Sequence, residues 1–158
     1  MVFQVTPLEL LILILSDRGY SIEEISKILE IDKEMMNDLI EDLTEKGYVR
    51  LKKKRKLLGS ETYLEVTEEG KRLLEEIRKV LWNVLKSVEG MVEKGNYDGA
   101  KTFVSRYSEY LPYAPLLGVS SKDFVDKLMS RLGIIPTYAP PEHVYEALAS
   151  SEEWWEEF

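Results

Sequence analysis

At Tyr48 to Leu51 and again at Glu61 to Val66 the apolar residues leave their helical repeat for alternation, and at Thr67 they change back. A single short hairpin set among helices fits few architectures, so this switch constrains the fold more than any other feature. Three segments with a 3.6-residue repeat precede it. Thr6 and Pro7 open the first, with Thr6 as cap, Pro7 in the first helical position and Gly19 as the stop. Nearly every position from Leu10 to Leu15 is apolar, which predicts a central, buried helix. Ser21-Ile22-Glu23-Glu24 is a capping box for the second, whose stripe is Ile22, Ile25, Ile28 and Leu29. Ile31-Asp32 makes a tight turn and Asp32 caps the third. Met35, Met36, Leu39, Ile40 and Leu43 are its expected buried face, and Lys46-Gly47 stops it.

Tyr48-Val49-Arg50-Leu51 then reads as a strand, and Glu61 to Val66 as its partner. Lys52 to Ser60 lies between them as a basic arm and tip, with turn chemistry at Gly59-Ser60. Thr67 caps a long helix that runs to about Lys94, with Glu68 and Glu69 well placed in its first turn. Along it Leu74, Ile77, Leu81, Val84, Val88 and Met91 form a heptad seam, and Leu73, Val80, Leu85 and Val92 add a second apolar face. Gly95-Asn96 turns the chain into a helix from Tyr97 to Leu111. An irregular stretch from Tyr113 to Val119 follows. Next comes a helix capped by Ser120 or Ser121, and a last short one holds Val144, Tyr145 and Leu148. The fold class is therefore mainly α with a small two-stranded β-hairpin and a C-terminal helical extension. Its expected divisions are residues 1–70, a linking or dimerisation helix over 68–95, and a helical domain over 96–158.

Composition removes several functions. The 158 residues contain no cysteine and only one histidine, His143, which leaves no thiolate zinc site, disulfide framework or His-rich metal site. No catalytic triad or glycine-rich phosphate loop accompanies His143, so neither an enzyme nor a cofactor is expected. The apolar run from Val5 to Leu15 is too short to span a bilayer and lacks the flanks of a secretory signal, so a cytoplasmic protein with no membrane role is expected. One Gln and three Asn beside abundant Glu, Lys, Ile and Leu give a thermophile-like usage. Net charge is −8, yet the cations are concentrated. Lys52, Lys53, Lys54, Arg55 and Lys56 form one run with no acid among them.

Leu43-Thr44-Glu45-Lys46-Gly47-Tyr48-Val49-Arg50 resembles the end of the recognition helix in MarR-like and PadR-like transcription regulators. Tyr63-Leu64-Glu65-Val66-Thr67-Glu68-Glu69-Gly70-Lys71 resembles their second wing strand and the helix after it. Ser21 to Leu29 is similar to the first helix of their helix-turn-helix. The likeness covers residues 6–85 and implies a winged helix-turn-helix that binds double-stranded DNA as a homodimer. The third helices would enter major grooves and the wings would touch backbone or minor groove. On that basis the expected DNA-binding residues are Lys33 and Asn37 on the third helix, with Arg50, Lys52, Lys53, Lys54, Arg55 and Lys56 on the wing. The heptad seam is either the core face of one subunit or a dimer contact, and the resemblance favours the dimer contact.

The residues also support another reading. The exposed face of the third helix is expected to carry Lys33, Glu34, Asn37, Asp38, Glu41, Asp42 and Glu45, one cation against five carboxylates. Phosphates repel such a face, and a winged helix that binds a basic protein instead of DNA would favour it. Residues 97–158 hold six of nine tyrosines and two of three tryptophans, Trp154 and Trp155. This aromatic, acidic part either forms a small helical cap or accepts a small-molecule or protein effector.

Overall fold

A computed structural model describes residues 2–136 and 139–149. Helices α1 (Pro7–Asp17), α2 (Ile22–Leu29) and α3 (Lys33–Glu45) precede strands β1 (Val49–Lys56) and β2 (Gly59–Val66). Helices α4 (Glu68–Glu93), α5 (Tyr97–Ser105), α6 (Lys122–Arg131) and α7 (Glu142–Ala149) follow, with 3-10 turns at Leu111–Tyr113 and Pro115–Leu117. This is a mainly helical chain with one antiparallel hairpin, in the order of a winged helix-turn-helix. It separates into two compact units. One is Leu8–Glu75. The other joins the N-terminal segment through Pro7 to the chain from Glu76 onward. Helix α4 contributes its first turns to one unit and the remainder to the other.

In the unit Leu8–Glu75, Leu10 to Leu15 are buried at every position, as their unbroken apolar run predicts. Glu9 is buried too, at 1% exposure, and the Lys46 ammonium stands 3.3 Å and 3.4 Å from its two carboxylate oxygens. A carboxylate this deep requires such a partner. At α2 the Glu24 amide donates to Ser21 Oγ at 3.1 Å and the Ser21 amide to Glu24 Oε1 at 2.9 Å, completing the capping box. Glu30 closes α2 in the left-handed region, at φ 55°, a conformation that costs a side-chain-bearing residue free energy. Asp32 Oδ1 accepts from the Met35 amide at 2.8 Å and starts α3. Met36, Ile40 and Leu43 are buried on α3, but Met35 is 45% exposed. A 4-3 spacing puts the three on one stripe and turns Met35 away, so Met35 leaves the expected buried face.

The strands are longer than their alternation indicated. Pairing runs from Val49↔Val66 through Leu51↔Leu64 to Lys56↔Gly59, so the basic segment is strand and the turn is Leu57-Leu58. Gly59, at φ 124°, follows that turn instead of forming its centre. On the other edge of β2, Ser21 bridges Tyr63. The hairpin is fastened to α4 by Thr67, whose hydroxyl donates to the Gly47 carbonyl at 2.6 Å and accepts from the Gly70 amide at 3.1 Å. A Cβ at Gly70 would collide with the Tyr48 carbonyl oxygen and Val66 Cγ1. The backbone of α4 thus lies too close to the hairpin base for any side chain there.

In the second unit the Tyr110 hydroxyl donates to the Val5 carbonyl at 2.8 Å, and Phe3 meets the Tyr110 ring edge-on at 4.8 Å. Helix α5 stops at Ser105, not at Leu111. The following amides bond three residues back, Tyr107 to Val104 and Tyr110 to Tyr107, and Pro112 has no amide hydrogen to restore the helix. The segment expected to be irregular contains the Pro115–Leu117 turn. Ser121, not Ser120, caps α6 by accepting from the Phe124 amide at 3.1 Å. Ala100 is buried, whereas Tyr97 is 47% exposed. Trp154 and Trp155 lie outside the described residues. Among the described residues no helix is long and apolar enough to cross a membrane.

Candidate nucleic-acid interface

Past the Leu51↔Leu64 pair the hairpin has no core beneath it, and every residue from Leu51 to Ser60 is exposed. Five further residues carry β1 about 17 Å outward at the usual strand rise. Side chains alternate across this ribbon, so the basic run is divided between two faces.

Arg50, Lys52, Lys54 and Lys56 share one face with Glu65, Tyr63 and Glu61 of β2. There the Arg50 guanidinium lies 3.1 Å from Glu65, Lys52 lies 3.4 Å from the same carboxylate, and Lys56 lies 2.9 Å from Glu61. Tyr63 donates to Glu61 at 2.6 Å, and the Lys54 ammonium sits 4.7 Å from the Tyr63 ring centre. The Tyr63 hydrogen bond and then Lys56 hold the Glu61 carboxyl below its ordinary range. Glu61 in turn raises the Lys56 ammonium and the Tyr63 phenol. The run that lacks an acid in sequence therefore acquires two from the opposite strand.

Lys53 and Arg55 occupy the other face, opposite Thr62 and Ser60. Neither has an ionic or hydrogen-bonded partner among the described residues. The face that leads back to the buried Val49, Leu64 and Val66 thus ends outward in two uncommitted cations.

Lys33 and Asn37 are both exposed on the first turns of α3, with Glu34, Asp38, Glu41, Asp42 and Glu45 exposed around and beyond them. Asp32 already takes one of the free amides at the helix start, and its negative charge disfavours a phosphate there. The base-reading candidates are thus accessible but set in an acidic surface. Of the heptad seam, Leu74, Ile77, Leu81, Val84 and Val88 are buried in the single chain and Met91 is half-buried. They are core, and a dimer through α4 would need its other faces.

The second unit contains an open cavity of about 380 Å³ lined by Pro112, Lys122, Val125, Asp126, Met129 and Tyr145, among others. Lys122 lies 2.8 Å from Asp126 and 3.5 Å from Glu142, and the Tyr145 phenol donates to the Pro112 carbonyl at 2.5 Å. Burial raises the Tyr145 phenol above its ordinary range. Tyr110 and Tyr113, by contrast, are fully buried core.

Neither known protein families, nor curated proteins, nor solved structures provide a match to this chain. The site rests on its own geometry. Glu61, Tyr63 and Glu65 went unrecognised in the sequence because their pairing depends on register. With the turn at Leu57-Leu58, counting outward from it assigns all three.

Proposed function

We propose that this protein binds double-stranded DNA as a regulator, gripping phosphates with its wing and reading bases sparingly with the first turns of α3. The observation that supports it is the uncommitted pair Lys53 and Arg55 on one face of an exposed basic ribbon, beside a helix-turn-helix. Two free cations projecting from a protein of net charge −8 have a role if they meet a polyanion. Lys33 and Asn37 would supply the base contacts, and the wing would supply most of the affinity. In a homodimer two such wings would act together, joined through surfaces other than the buried seam. A small-molecule effector would occupy the cavity beside Tyr145.

One observation favours a second reading, in which the domain docks a basic protein: five carboxylates and one cation form the exposed face of α3. Titrating the protein into a labelled mixed-sequence duplex at low salt separates the two. Wild type and the variant Glu34→Gln/Asp38→Asn/Glu41→Gln are compared. If DNA is the partner, wild type binds and the variant binds more tightly, because repulsion is removed. Absence of binding by both proteins rejects the DNA reading and leaves the protein partner.

A further inference from the structure

The tip of the wing carries two leucines that no described residue covers. Leu57 and Leu58 are completely exposed, at 104% and 101%. Polar or glycine residues are usual in such a turn. Both leucines have negative φ, so backbone geometry does not demand them, and Gly59 absorbs the positive φ. They stand beyond the last core-bearing pair, with Lys56 and Arg55 immediately behind and Lys53 two residues further back along the face of Arg55.

We propose that Leu57 and Leu58 form a wedge that enters the minor groove of DNA, unstacks one base step and bends the duplex. This rests on the DNA reading above and extends it to a mode of binding. Charge complementarity identifies the occupant, since the free cations Arg55 and Lys53 lie behind the apolar tip on one strand and one face and fit the phosphates along one wall of a groove. The size agrees: strands are about 4.8 Å apart before side chains are added. A minor groove about 6 Å wide excludes the ribbon and admits its turn alone. Leucine at that point has no hydrogen-bonding capacity for base edges. What it gains is apolar surface against exposed base faces, which offsets the unstacking. The wedge would favour steps that unstack easily, TA and CA, over stiff A-tracts.

The test uses the full chain, end-labelled duplexes for energy transfer, and 2-aminopurine beside a central TA step. Wild type is compared with Leu57→Ser/Leu58→Ser, which removes no buried surface and should melt at the wild-type temperature. Wild type is expected to shorten the end-to-end distance and raise 2-aminopurine fluorescence. The double variant should lose both signals, bind about tenfold more weakly, and keep the same salt dependence. A straight duplex in the wild-type complex, or equal bending by the variant, overturns the wedge while leaving DNA binding intact. Failure of wild type to bind any duplex removes the DNA reading itself. Flotation with phosphatidylserine vesicles is the third arm: leucine-dependent vesicle binding with unchanged DNA binding assigns the tip to lipid and overturns the proposal.

Discussion

Neutralising Lys53 and Arg55 should act differently from neutralising Lys52 and Lys56, although each double change removes two positive charges from the same strand. Lys52 and Lys56 already hold Glu65 and Glu61 at 3.4 Å and 2.9 Å. Their local fields are largely compensated, and a phosphate would have to compete with a carboxylate. Among the described residues Lys53 and Arg55 have no such competitor. Each cation that meets a phosphate contributes about 0.9 to the slope of log affinity against log salt. Lys53→Gln/Arg55→Gln should therefore flatten the slope by about 1.8 per wing. Between about 50 and 200 mM salt that amounts to an affinity difference of about twelvefold. Lys52→Gln/Lys56→Gln should change the slope by less than half as much. Fluorescence anisotropy of a labelled mixed-sequence duplex across a salt series reads both. Equal slope changes would mean that net charge alone matters, and a larger effect of the Lys52/Lys56 pair would put the wrong face of the ribbon on DNA. Either result refutes the division into committed and free cations.

Other consequences concern stability. Gly70→Ala should destabilise the protein by at least about 1–3 kcal/mol in urea unfolding, because the Tyr48 carbonyl and Val66 must move away from the new methyl. Glu30→Gly relieves a left-handed conformation and should stabilise by about 0.5–1 kcal/mol on the same assay. Tyr110→Phe removes the donor to the buried Val5 carbonyl and should cost about 1–3 kcal/mol. The Tyr145 phenol is raised by burial, so its contribution is complete below the ordinary tyrosine value of 10.0 and declines as pH rises above it. Thermal melts should show a loss of stability above that pH that is smaller in Tyr145→Phe, with tyrosinate absorbance marking the titration.

Helices α2 and α3 were legible because each has both a stripe and a cap. Ser21 and Glu24 define one end of α2 unambiguously, and Asp32 does so for α3. The hairpin was legible in existence but not in extent. Alternation fades where side chains leave the core, so Lys52 to Lys56 carry no apolar signal although they are hydrogen-bonded strand. The Gly59-Ser60 signal drew the turn two residues too far along. Leu-Leu has no turn propensity of its own, and Gly59 follows the turn. The charge division of the wing depended on that register. Which carboxylate answers which lysine is a matter of pairing across strands. The seam of α4 was visible as periodicity, but periodicity cannot tell a chain's own core from a partner's surface. Ile77, Leu81 and Val88 are buried within the single chain.

The contact between Val5 and Tyr110 also bears on how the chain is made. Residues 8–75 contain all of their own compact unit and can collapse once they have left the ribosome. Phe3 and Val5 are made before that unit but belong with residues that follow more than a hundred positions later. At about 5–20 residues per second, they wait about 5–20 s for Tyr110. During that interval Phe3 and Val5 lack the ring they meet in the fold. A nascent protein held by chaperones should be captured at these residues, and a shortened chain ending after α4 should leave them without Tyr110.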